Sequence, residues 1–143
     1  MPRALSDTIE ELFETFDQMH DWEERYEYLI DLGDKLPDMP AAEKVEKNRV
    51  QGCQSNVWLI AHVRDANPPV LEFEADSDAQ IVKGLVAILL HMLSGRTPEE
   101  IQSFDIGHVF TRLGLKQHLS PLRSNGLHSM VKRIKNLAAE NAP

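Results

Sequence analysis

Cys53 is the only cysteine in a chain of 143 residues, and it stands in the stretch Arg49-Val50-Gln51-Gly52-Cys53-Gln54-Ser55-Asn56-Val57-Trp58. As a thiolate it would be a nucleophile and could exchange with other sulfur atoms. Gly52 permits backbone angles that other residues resist, small polar residues surround the thiol, and an apolar run follows at once. That pattern describes a sulfur at the tip of a rigid hairpin, on a short turn feeding a buried strand. A free cysteine is also often a small buried hydrophobe. Gln51, Gly52, Gln54 and Ser55 count against that second reading, because a cysteine kept for packing usually has apolar neighbours. From the residues alone both readings stay open.

Other chemistries fall away by inventory. A structural zinc site needs four Cys or His ligands, and His20, His62, His91, His108, His118 and His128 show no paired metal spacing. An iron–sulfur cluster is usually held by four thiolates, which one cysteine does not supply. There is no C-x-x-C pair, no G-x-G-x-x-G and no G-x-x-x-x-G-K-[ST], so nothing signals a redox dithiol or a nucleotide. A cysteine hydrolase would need one of the six histidines brought beside Cys53, and none carries a local signature. What survives is a lone thiol in exchange chemistry: it attacks sulfur, carries it, and yields it to another protein.

Composition bounds the setting. The length suits a single domain over residues 1–143, and a 42% apolar fraction suits a soluble globular core. A net charge of -8 speaks against nucleic acid, whose phosphates are met with Lys and Arg. No apolar run approaches the roughly 20 residues that span a bilayer, and the amino-terminal residues lack a signal-peptide core. The expected location is the cytoplasm. Charge is uneven: eleven acidic residues face two basic ones over residues 1–34, whereas residues 121–143 hold Arg123, Lys132, Arg133 and Lys135 against Glu140. Most of that is solvated helix surface, and the remainder hints at a protein partner.

The elements that must hold the thiol follow from patterning. Asp7 and Glu10 have capping-box spacing, and Ile9, Leu12, Phe13, Phe16 and Met19 form one apolar stripe. Asp21 caps a second helix with Trp22, Tyr26, Leu29 and Ile30 inward, and Gly33 is placed to end it. Leu36 to Pro40 reads as extended. Val45 to Val50 is a weak strand. Val57 to Val63 reads as a central strand covered on both faces, and Val70 to Ala75 as a strand with one wet face. Asn67-Pro68-Pro69 is the turn between them. Ser77 with Gln80 opens a nearly all-round apolar helix that Ser94-Gly95 stops. Thr97-Pro98-Glu99-Glu100 starts another, short helical pieces follow, and Ser120-Pro121 opens the last, with Leu122, Leu127, Met130, Val131, Ile134 and Leu137 inward. Trp58 and Tyr26 are read as core. The expected fold class is α+β, with a small three-stranded antiparallel sheet covered by helices.

The stretch from Val50 to Ser55 with Val57-Trp58 resembles the cysteine loop of the SufE family of sulfur-acceptor proteins. Trp22-Glu23-Glu24-Arg25-Tyr26, the segment Asp76 to Leu85 and Arg123-Ser124-Asn125-Gly126-Leu127 agree with it, so the resemblance covers nearly the whole chain. It implies a SufE/IscU-like fold. It also implies that Cys53 takes a persulfide sulfur from a PLP-dependent cysteine desulfurase of the SufS or CsdA type. The chain would stimulate that enzyme and pass the sulfur to an iron–sulfur scaffold complex. PLP belongs to the desulfurase, and no cofactor or metal is expected here. Scaffold proteins use several cysteines, and one cysteine suits carriage without assembly.

On the resemblance, Cys53 is the acceptor, a sulfurtransferase-type role. Arg123 is the candidate for activating the thiol or docking the desulfurase, set against a surface ion pair near the last helix. Arg49 is a weaker candidate. Gly52 and Gln54 flank the thiol, and Asp76 and Asp78 are assigned to the helix terminus and its dipole, with a secondary role in holding the cysteine loop. The free thiol is expected to turn inward beneath apolar cover from Trp58, Leu71 and Phe73. Two other functions stay open: a binding module that activates a desulfurase allosterically without carrying sulfur, and a thiol redox sensor.

Overall fold

The computed structural model of the chain describes residues 5–53, 55–115, 119 and 121–141, with the side chains of 5–9 and 121–123 outside the description. At its centre is a hairpin of β1 (Val57–Arg64) and β2 (Val70–Ser77), antiparallel, with Val57 opposite Ser77 and Arg64 opposite Val70. Alternation along β2 sends Leu71, Phe73 and Ala75 inward. Against that face packs α3 (Gln80–Leu93), which buries Leu85, Val86, Ile88, Leu89, Met92 and Leu93. The buried apolar side chains form one cluster, from Leu12 and Phe16 to Ile134 and Ala138.

The amino-terminal half supplies α1 (Leu5–Asp17) and α2 (Trp22–Asp34). The first helix already runs at Leu5, so Asp7 lies within it rather than before it, and its expected capping bond falls on a side chain outside the description. Asp21 caps α2 as expected, accepting from Glu24 N at 2.9 Å. Gly33 does not end α2. It is buried where α2 crosses α3, and a Cβ there would lie 2.9 Å from Gly84 N, while one on Gly84 would collide with the Leu29 carbonyl oxygen. Two bare backbones let the helices touch. Arg25 closes the end of α1, donating from Nη2 to Phe16 O at 3.1 Å with its guanidinium over the Trp22 ring. Tyr26 packs half-buried against the core, as expected.

Among the described residues the sheet has two strands, and the expected third comes down to one bridge, Arg49 to Trp58, beside a bond from Val50 N to Val57 O at 2.8 Å. Glu46–Asn48 is instead a 3-10 turn. Polar side chains there satisfy themselves locally: Asn48 Nδ2 donates to Glu43 O at 2.8 Å and Arg49 grips Glu46. Nor is β1 covered on both faces. Val57 and Leu59 are buried, but Val63 is 53% exposed, because β1 is an edge once Arg49 leaves it. Trp58 is half-buried and sits under the Lys44 ammonium at 5.5 Å from the ring centre, outside the main core cluster.

Ser77 ends β2 rather than capping α3. Its hydroxyl donates to Asn56 O at 2.8 Å and accepts from Ala79 N at 3.2 Å, and α3 starts without a side-chain cap. Beyond α3, Gly95 turns the chain with φ of 82°. Next come α4 (Pro98–Ser103), opened by the full Thr97–Glu100 capping box, α5 (Ile106–Arg112), and α6 (Pro121–Glu140). The last helix turns Leu127, Met130, Ile134 and Ala138 into the core.

Candidate functional site

The cysteine turn is built between two fixed stems. On the incoming side Arg133 of α6 donates from Nη2 to Lys47 O at 3.2 Å. On the outgoing side Asn56 is held by Asp78, which accepts from Asn56 N at 3.1 Å and from its Nδ2 at 2.9 Å, and by Ser77 Oγ. Val50 is buried beneath the turn. Gly52 carries a φ of 90°, a conformation side chains resist, and a Cβ there would lie 2.5 Å from Ser129 Oγ of α6. The backbone angle therefore demands glycine at that place, and any larger residue would also have to turn the Ser129 hydroxyl aside.

These constraints bring Cys53 onto α6. The thiol is half-buried and donates to the Gly126 carbonyl, with Sγ 3.4 Å from the oxygen. Gly126 is itself buried, and the nearest described atoms to its missing Cβ all belong to Cys53: Sγ at 3.6 Å, Cα and Cβ at 3.8 Å. Gly126, Ser129 and Arg133 recur at three- and four-residue steps, so one stripe of α6 seats the whole loop. The shelter expected from Leu71 and Phe73 is not there. The register sets them opposite Val63 and Ala61, roughly 20 and 13 Å along the hairpin from its Val57 end at about 3.3 Å per residue.

Burial pushes the Cys53 thiol above the usual cysteine range, and the positive charge of Arg49 opposes that rise without cancelling it. The arginine is engaged elsewhere, with Nε and Nη2 on Glu46 at 2.8 and 2.9 Å. A thiol pushed up in this way is a weaker nucleophile than one at the ordinary cysteine value, because a smaller share of it is thiolate.

Of the other expected site residues, Gln54 and the side chain of Arg123 lie outside the described residues, the backbone of Arg123 being in the first turn of α6. Asp76 is 3% exposed and does not touch the loop. It accepts from Ser77 N at 2.8 Å and Met39 N at 3.2 Å, with Lys44 and Lys83 ammonium groups at 3.3 and 3.4 Å. Burial alone would raise its carboxyl, but those two amides and the two lysines outweigh it and hold it below the ordinary range. Asp76 therefore ties the 37–44 connection to the hairpin, and Asp78, rather than Asp76, steadies the cysteine loop. Sequence reasoning named Gly126 only within the matched segment and Arg133 only as a basic charge, and set neither of them, nor Ser129, against the thiol. The one signal was a glycine inside an otherwise helical pattern.

No group of three or more His, Cys, Asp or Glu among the described residues is arranged to hold a metal ion, and no described helix is long and apolar enough to cross a membrane.

The sequence model of the SufE family, described as an Fe-S metabolism associated domain, matches residues 10–138. The chain belongs to the SufE family, and its role lies in Fe–S metabolism. An uncharacterised SufE-like protein of Rhizobium meliloti is 45% identical over 137 residues, 95% of this chain and 98% of that protein. Another, from Rhizobium etli, is 43% identical over 141 residues, 98% of this chain and 95% of the other. A solution structure of a hypothetical protein from Thermus thermophilus superposes with a TM-score of 0.74 over 93% of this chain and 94% of that one, at 24% identity, and so shares the α+β fold.

Proposed function

We propose that this protein is a sulfur acceptor and carrier working from Cys53, and that it serves a PLP-dependent cysteine desulfurase of the SufS or CsdA type. The observation that supports it most is the pairing of a lone thiol with a purpose-shaped seat in a SufE-family chain. In the reaction the Cys53 thiolate attacks the outer sulfur of a donor persulfide. A new S–S bond forms on Sγ, the donor S–S bond breaks, and its electron pair leaves on the donor thiolate. The loaded chain then yields the sulfur to an iron–sulfur scaffold complex in the cytoplasm, having no cofactor of its own.

The raised thiol supports a step in which the partner activates it. A sulfur held against the Gly126 carbonyl is both shielded and protonated, so docking must draw the loop off α6 before exchange. Arg123 belongs to this step as the residue that docks or activates; its place in the segment that resembles the family and its backbone in the first turn of α6 support that reading.

Intact-mass measurement after incubation with a cysteine desulfurase and cysteine tests the reading. One sulfur, about 32 Da, should be gained at a single thiolate and released by reductant. A gain that persists in Cys53→Ser would refute the assignment. Undiminished stimulation of the desulfurase by Cys53→Ser would instead make the chain an allosteric activator, and oxidation by peroxide with no sulfur uptake would make it a sensor.

A further inference from the structure

Alternation along β2 sends Glu72, Glu74 and Asp76 to the other face of the hairpin from Leu71, Phe73 and Ala75. Against that face lies a 3-10 turn, Ala41–Glu43, with Lys44 on Asp76 and Glu43 on Glu74. Glu43 Oε2 is buried and meets no hydrogen-bond donor among the described residues. The group within hydrogen-bonding reach of the Glu43 carboxyl is itself an acid, Glu74. Two ionised carboxylates offer acceptors only. Side by side they repel, and a buried acceptor without a donor adds its own cost. One proton between them resolves both, since the protonated carboxyl donates and its neighbour accepts.

The other charges on that face are committed. Arg64 of β1 pairs with Glu72 of β2, Lys44 and Lys83 flank Asp76, and Arg49 grips Glu46. Among the described residues only His62 of β1 reaches the pair, its Nε2 lying 3.1 Å from Glu74 Oε2. Contact with Glu74, then burial, pushes the Glu43 carboxyl above the ordinary glutamate range, and His62 opposes the rise. What the turn holds is the approach to the cysteine loop. Asn48 Nδ2 donates to Glu43 O at 2.8 Å, and Arg49, next in the chain, makes the bridge to Trp58.

We propose that Glu43 and Glu74 are a proton-operated latch on the incoming stem of the cysteine loop. Sharing one proton, they pin the turn to the hairpin. Once that proton passes to water both carboxylates are charged, the turn lifts, and Asn48 loses its anchor. A carboxyl raised on folding contributes stability that is complete below its unfolded value of about 4.3 and is lost as pH climbs through the folded one. The latch is therefore closed in acid and opens as the pH rises. The device does not depend on what Cys53 carries.

Glu43→Gln and Glu74→Gln test it. Each keeps the shape, gives the remaining carboxylate a permanent amide donor and removes one charge, so each is a latch that stays shut. Amide hydrogen exchange at Asn48 and Arg49 reads the anchor, because those N–H groups close the adjoining turn on Val45 O and Glu46 O. Comparing proteins at the same pH cancels the chemical exchange rate. In acid the native protein and Glu43→Gln should match. In mildly alkaline buffer the native amides should exchange about fivefold faster, the equivalent of one lost hydrogen bond. Rates that agree at every pH overturn the proposal. So does a difference that stays constant with pH, because then no proton operates the turn. Should Glu43→Gln fail to fold, Glu74→Gln carries the same comparison. Carboxyl carbon NMR of the native protein is the second measurement, and one glutamate of the pair should titrate above the ordinary range. Two that titrate within it would overturn the latch whatever the variants did.

Discussion

The α2–α3 crossing and the seat of Cys53 on α6 are both places where a glycine lets chain segments approach, and they differ in what is left over. At the crossing nothing is left: a Cβ on Gly84 would overlap the Leu29 carbonyl, and one on Gly33 would press on Gly84 N. At the seat a methyl's worth of room remains between α6 and the sulfur. The first glycine pair is used up by packing. The second site keeps slack beside the thiol.

The comparison can be broken at its tight end first. Gly84→Ala should lose about 3 kcal/mol, the upper end for overpacking, because backbone rather than a flexible side chain stands in the way. Urea denaturation should show a lower midpoint with an unchanged slope, and a midpoint within error of the native one would remove the crossing as a constraint.

Next in size is the buried carboxylate that joins the two regions through the hairpin. Asp76→Asn keeps the shape but strands Lys44 and Lys83, at a cost of about 2 kcal/mol near neutrality. The folded-state Asp76 carboxyl lies below its unfolded value, so its stabilisation is present above about pH 3.9 and lost as pH falls through the folded value. The gap between native and variant proteins should accordingly close in acid. A gap that stays constant to low pH would show that the charge contributes nothing.

At the slack end the sign reverses. Gly126→Ala should be more stable than the native protein by about 0.5–1 kcal/mol, the helix preference with no steric charge against it. A destabilised variant would show that the seat is as tight as the crossing and would erase the contrast.

How much of this was readable beforehand depended on how local each cause is. The capping box from Thr97 to Glu100 formed as its spacing says, since both partners lie in one turn. The same spacing at Ser77 and Gln80 did not, because Ser77 had been taken by the far stem of the cysteine turn through Asn56. Val45 to Val50 carried too little alternation to hold a strand against its own polar links. The thiol was legible from its neighbours, but its cover was not, because the partner lies 73 residues on in sequence. A glycine in a helix announces a close approach without saying what approaches.

The two clamped stems set a clock. Arg133 fixes the chain at Lys47 and Asp78 fixes it at Asn56, so the segment that would swing out on the proposed function is short, and its return is a local closure. Loops of about ten residues close in roughly 10–100 ns. A small reductant at about 1 mM, even at a diffusion-limited rate of about 10⁹ M⁻¹ s⁻¹, arrives only about once per microsecond. On the proposed function, the segment would be back over the thiol before a small reductant could reach a sulfur carried there. Lengthening the segment between the clamps, or cutting either one, would spend that margin.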